Sequence, residues 1–276
     1  MKKQLITVLA LAGIAAGATL AFATEGSHGG GILKSKHDMN MYVGTHGGKL
    51  DKDQRVCAYC HTPHHSVGIG STAMVDIDKD GLADLDVNGQ ETTYEVYYPL
   101  WSRALNPTAT IDGYVSQTFN PTGKFYDPLA GPSRLCMTCH DGTIAADSYY
   151  GETAGTANAG DDQLMMWSMG NFGIGKGDSL SNDHPVGFVY KDMADDDTNY
   201  EIKDQSSSFV GTTKTIDSAL TNIDGVGKVM TCASCHDVHN GTAVQNKPLA
   251  AGESGRGYFL LAAQKDSAIC LSCHDK

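Results

Sequence analysis

Apolar and polar positions are unevenly distributed along this chain. Leu5 to Leu20 is an uncharged apolar run, preceded by Lys2 and Lys3 and closed by Ala21-Phe22-Ala23. A short positive start, an apolar stretch and a small-x-small end are the marks of an export signal cut after Ala23. Residues 1–23 are therefore expected to be a signal peptide and residues 24–276 a single domain. No later run approaches the roughly 20 apolar residues that cross a bilayer, so no membrane span is expected after cleavage. Thr92 to Tyr98 alternates enough to predict a short strand, and Ser208 to Ile216 predicts a second. Elsewhere long periodic runs are scarce, and Gly, Pro and Asp interrupt the chain. The expected fold is mostly irregular coil, with short helices of one or two turns and few short strands.

Composition sharpens that picture. The chain has 32 glycines in 276 residues, about 12% against roughly 7% in ordinary proteins. With large apolar residues so scattered, something other than side chains is needed to fill a core. Thirty-two acidic residues oppose 20 basic ones, a net charge of −12, and loss of the signal lysines makes the remainder more acidic still. Nucleic acid demands a basic footprint, so that class of partner is excluded. Acidity suits basic or cationic partners and solubility.

All eight cysteines fall in four copies of one motif: Cys57-Ala-Tyr-Cys60-His61, Cys136-Met-Thr-Cys139-His140, Cys232-Ala-Ser-Cys235-His236 and Cys270-Leu-Ser-Cys273-His274. C-x-x-C-H is the attachment signature of c-type haem. Each cysteine sulfur forms a thioether with a former vinyl group, and the adjacent histidine is held beneath the iron as its proximal ligand. Zinc ribbons use C-x-x-C pairs without needing a histidine after every second cysteine. Thioredoxin-like sites use one pair in a βαβ setting that is absent here. Close pairs followed each time by histidine also make a poor disulfide framework. Four covalent haems are expected, with His61, His140, His236 and His274 as proximal ligands. Cys57 lies far from the signal cut, which argues against a lipid anchor.

Seven histidines remain for four distal positions: His28, His37, His46, His64, His65, His184 and His239. His64 and His239 each follow a proximal histidine by three residues. A side chain so placed cannot wrap to the far face of its own porphyrin but can reach the iron of a neighbouring one. His65, adjacent to His64, competes for the same role. His184 precedes Pro185 in Asp183-His-Pro-Val-Gly-Phe188, and the proline stiffens that turn. His37, in Ser35-Lys-His-Asp38, precedes the first motif by twenty residues and is placed to fold back over it. The preferred distal set is His37, His64, His184 and His239, with His28 and His46 spare. Met165, Met166 and Met169 offer methionine ligation instead, which would raise the haem potential. With histidines in surplus, these methionines read as gap-fillers against apolar faces.

Asp76-Ile-Asp78-Lys-Asp80-Gly-Leu-Ala-Asp84 matches the first nine positions of a calcium loop, with glycine at the sixth. Val87 replaces the bidentate glutamate, so a Ca²⁺ ion at Asp76, Asp78, Asp80 and Asp84 would be structural; the alternative is an acidic solvated turn.

The signal segment, the four C-x-x-C-H motifs, Ser-Lys-His-Asp before the first, Cys-Ala-Tyr-Cys-His-Thr-Pro-His and Asp-His-Pro-Val-Gly-Phe together resemble the multihaem cytochromes exported by metal-reducing bacteria, of the outer-membrane cytochrome E type. The resemblance implies bis-histidine haems in a continuous stacked line, wrapped by the chain. It also implies a homopolymeric extracellular filament passing electrons to other cytochromes, minerals, electrodes or partner cells. A histidine of one subunit ligating a haem of the next, a role open to His28 or His46, is implied in the same way. The expected location is extracellular or at the cell surface, with the periplasm as the alternative.

Three functions follow for comparison: a filamentous electron conduit, a monomeric periplasmic shuttle, and a multihaem reductase. A reductase keeps one iron five-coordinate, often through an altered motif carrying lysine. All four motifs here keep histidine and distal candidates suffice, so a non-enzymatic electron carrier is expected.

Overall fold

A computed structural model describes residues 32–33, 35, 37–41, 50–64, 66, 72–74, 93–95, 99–103, 111–114, 116–119, 124–141, 173–174, 180–196, 201–239 and 258–276. The signal segment, His28, His46, His65, the Asp76–Asp84 loop and Met165, Met166 and Met169 lie outside the described residues. Coil predominates among those described, with few short helices and a small three-stranded sheet. No described helix is long and apolar enough to cross a membrane.

Strands β1 (Thr72–Met74) and β2 (Thr93–Glu95) pair antiparallel, Ala73 opposite Tyr94. The strand expected within Thr92 to Tyr98 is thus described over its first part. Helix α1 (Pro132–His140) begins at a proline, which suits the first helical position because its missing N–H would have no partner there. Strand β3 (Phe188–Val189) runs directly into α2 (Tyr190–Ala194). Helix α3 (Ile216–Ala219) starts at Thr215, whose hydroxyl caps Ser218 N–H in a reciprocal box. The hairpin of β4 (Thr221–Ile223) and β5 (Gly227–Met230) completes the sheet in the order β3-β5-β4. Helix α4 (Ala268–Cys273) is the last described helix.

The second predicted strand is a correction. Residues 208–216 form a turn: Phe209 N–H donates to Lys214 O at 2.8 Å and Ser208 bridges Thr215. Gly211, at φ 72°, reverses the chain there, and Ile216 belongs to α3. Alternation alone does not reveal such a reversal.

The main apolar cluster gathers Phe119, Phe188, Tyr190, Met193, Phe209, Ile216, Leu220, Met230 and Leu261. It lies against the sheet and supports the turn that carries His184. Gly187 closes that turn at φ 89°, and a Cβ there would stand 2.0 Å from Asp127 O. Backbone contact this close is open only to glycine; Asp127 N–H donates to Gly187 O at 2.8 Å, and Gly187 N–H to Met230 O at 2.6 Å.

Candidate haem-binding site

Each C-x-x-C-H segment folds into a helical turn. The second lies within α1 and the fourth within and just after α4, while the first and third are single 3-10 turns at Val56–Tyr59 and Cys232–Ser234. The histidine N–H closes on the carbonyl of the first cysteine at 2.8 Å in His61, 3.0 Å in His236 and 2.9 Å in His274. One turn therefore carries both sulfurs and the imidazole on neighbouring positions, because residues three and four apart share a helical face.

Three of these imidazoles face a second histidine. His61 and His239 have ring centres 6.2 Å apart, with 29° between planes. His140 and His37 stand 6.1 Å apart at 58°, and His274 and His184 6.2 Å apart at 78°. A first-row metal–imidazole bond is about 2.0–2.1 Å, with the ring centre about 1.2 Å further on, so rings closing one iron from opposite sides are roughly 6.4 Å apart. The observed spacings fit an iron between each pair. Among the described residues no group of three or more His, Cys, Asp or Glu converges on a protein-only metal site. A haem iron needs only two protein ligands, since the porphyrin supplies the rest.

His37 departs from its expected place. It faces His140 of the second motif, not His61 of the first. The Ser35 hydroxyl shapes its turn by accepting from His37 N–H at 3.1 Å, and the ring lies flat on Phe259, 4.7 Å between centres. Burial, then His140, His236 and His239, pushes its pKa down to about 4, which favours the neutral ring that binds metals. His239 reaches from the third motif to the first. Among the described residues no imidazole pairs in this way with His236, and none with His64.

The four motifs lie against one another. The Cys136 thiol donates to Cys232, and this bond, then burial, raises the Cys136 pKa. Burial, then Cys139, pushes Cys60 up to about 12; burial, then Cys273, does the same for Cys235. The same bond from Cys136, working against burial, lowers the Cys232 pKa to about 7. Hydrogen bonds through side chains join neighbouring motifs as well. Ser133 Oγ in α1 accepts from Cys232 N–H at 3.0 Å. Trp101 sets its ring edge-on to His61, 5.2 Å between centres, while its indole N–H donates to Thr138 inside the second motif at 3.1 Å. The fourth motif is clamped by residues 201–203, with Lys203 N–H donating to Cys273 O and Asp275 N–H to Glu201 O, both at 2.8 Å.

Sequence reasoning missed two straps. Residues 99–102 cross the first motif. Pro99 O meets His61 Nδ1 at 2.7 Å, Thr62 N–H donates to Leu100 O at 2.8 Å, and Ser102 N–H donates to Cys60 O at 2.8 Å. Residues 258–261 repeat this over the third motif. Tyr258 O meets His236 Nδ1 at 2.5 Å, Asp237 N–H donates to Phe259 O at 2.8 Å, and Leu261 N–H donates to Cys235 O at 2.8 Å. Even the backbone twist matches, with φ 52° at Leu100 and 55° at Phe259. Pro99-Leu-Trp-Ser and Tyr258-Phe-Leu-Leu share no residue in register, so no sequence signal marks the repeat. No family model matches the chain, and no curated protein matches it.

Proposed function

We propose that this chain is a tetrahaem c-type cytochrome that carries electrons and transforms no substrate. The observation that carries this reading is the set of three histidine pairs at 6.1–6.2 Å, each including the histidine of a C-x-x-C-H turn. Covalent haem, when bound, supplies one-electron chemistry at its iron. The protein's part is placement. Cys57 and Cys60, Cys136 and Cys139, Cys232 and Cys235, and Cys270 and Cys273 hold the four groups. His61, His140, His236 and His274 would ligate the irons from their own motifs, and His239, His37 and His184, which stand across from His61, His140 and His274, would supply the second imidazole of the first, second and fourth groups. His64 or His65 is left for His236, or a histidine of a neighbouring subunit. Contact between motifs one and two, two and three, and three and four keeps successive haems close enough for hopping, with the chain wrapped around them.

The resemblance to exported multihaem cytochromes supports an extracellular homopolymer delivering electrons to external acceptors. A monomeric periplasmic shuttle is the alternative. A Ca²⁺ ion at Asp76–Asp84 would add only local order. Secreted material decides the matter. Pyridine haemochrome should return four haems per chain, still attached after acid-acetone washing, and electron microscopy should show haem-containing fibres. A colourless washed polypeptide sinks the cytochrome reading; haem-loaded protein eluting as a monomer replaces the filament with the shuttle.

A further inference from the structure

We propose that Lys203 is a potential-setting residue: its ammonium, pinned against the loop between Cys270 and Cys273, raises the potential of the haem held there. The inference rests on the cytochrome reading above.

Residue 203 is held at three points. Its N–H donates to Cys273 O at 2.8 Å. Its carbonyl accepts from the hydroxyl of Tyr190, a buried residue, at 2.8 Å. Its Nζ donates to Leu271 O at 2.7 Å. Ile202, next to it, bridges His274. Lysine ordinarily carries its charge through solvent on a flexible four-carbon stem; here both ends of that stem are tied to the fourth motif. Leu271 O is neutral, so this bond fixes the charge without cancelling it. Among the described residues the ammonium meets no carboxylate. Two carboxylates close in sequence are engaged elsewhere: Glu201 pairs with Lys276 at 2.7 Å, and Asp204 accepts from Ser206 N–H at 2.8 Å. Cys270 and Cys273, which flank the anchoring carbonyl, both attach at one edge of the porphyrin. A ferrous haem carries one positive charge fewer than a ferric one, so an uncancelled cation beside that edge favours the reduced state. The contact is partly buried, where salt screens it less than at the open surface. The fourth site would then accept electrons from its neighbours more readily than its two imidazoles alone allow.

Two substitutions separate charge from hydrogen bonding. Lys203→Gln removes the charge but keeps a donor for Leu271 O, whereas Lys203→Arg keeps both. Haem content and the low-spin spectrum are measured first, so that loss of the cytochrome reading is seen separately. Potentials are then resolved haem by haem by NMR during redox titration. Lys203→Gln should lower the fourth haem by at least threefold in its redox equilibrium constant, about 30 mV at 59 mV per tenfold for one electron. It should move the other three less. Lys203→Arg should leave all four unchanged. A folded, four-haem Lys203→Gln protein with an unmoved fourth haem overturns the proposal, as does an equal shift in Lys203→Arg. Should the glutamine variant not accumulate, Lys203→Met, which keeps an unbranched apolar stem, is judged by the same criterion. If neither neutral variant holds four haems, Lys203 serves the fold of the motif rather than its potential, and the proposal is overturned.

Discussion

Phe259 lies flat against His37, with 4.7 Å between ring centres and 16° between planes. The strap over the third motif thus also supports the imidazole opposite His140 of the second. Phe259 is 4% exposed, and truncating a buried phenylalanine costs about 3–5 kcal/mol. Phe259→Ala should lower the melting temperature and convert one haem partly to high spin. Phe259→Leu, which keeps most of the volume, should lose less stability while still releasing the His37 ring. Calorimetry and the high-spin resonance in electron paramagnetic spectra read the two effects separately.

The ring planes differ among the sites, and the spectra should differ with them. His61 and His239 are closest to parallel, at 29°, and His184 and His274 are near perpendicular, at 78°. Near-parallel imidazoles separate the iron d orbitals and give a rhombic low-spin signal; near-perpendicular ones leave two orbitals nearly degenerate and give a single feature at large g. Both types are expected in the frozen oxidised protein. His184→Ala should remove the large-g feature and His239→Ala a rhombic one.

Asp51 leads into the first motif as the acceptor of a two-pronged bond from Arg55, 2.7 Å and 3.0 Å, and of Arg55 N–H at 2.5 Å. These bonds, chiefly from the Arg55 side chain, hold its carboxyl well below the usual carboxylate range. A depressed folded pKa adds stability above the unfolded value, about 3.9, and loses it as pH falls through the folded one. Asp51→Asn should destabilise the protein by about 1–2 kcal/mol at neutral pH. The difference should shrink steadily below about pH 4, as thermal melts across the acid range will show.

Gly187 and Gly225 separate strain from crowding. Both have positive φ, 89° and 80°, but a Cβ meets Asp127 O at 2.0 Å in the first and nothing within 4 Å in the second. Gly225→Ala should cost roughly 1 kcal/mol of backbone strain. Gly187→Ala should cost distinctly more, and it should also shift the spectrum of the fourth site, because the 180–187 turn carries His184. Equal losses in denaturant titrations would contradict this view of the turn.

The four motifs were legible because C-x-x-C-H is a fixed spacing, and each is a helical turn in the structure. His184 was marked by the Pro185 that follows it, and its ring stands opposite His274 of the fourth motif. Pairing was not legible. His37 is closer in sequence to His61 yet faces His140, a choice made by its stacking on Phe259, which lies far along the chain. The straps were invisible because they act through carbonyls and N–H groups, which every residue carries alike. The alternating segment 208–216 misled because Gly211 permits a reversal that the pattern of side chains does not record.

Trp101 touches the first motif with its ring and holds the second with its indole N–H. On the cytochrome reading proposed above, electron tunnelling would fall off exponentially with gap width, so the relay would be only as steady as the separation between its stations. A rigid bicyclic side chain bridging two motifs would then work as a gauge block, keeping thermal breathing of the coil from modulating the current.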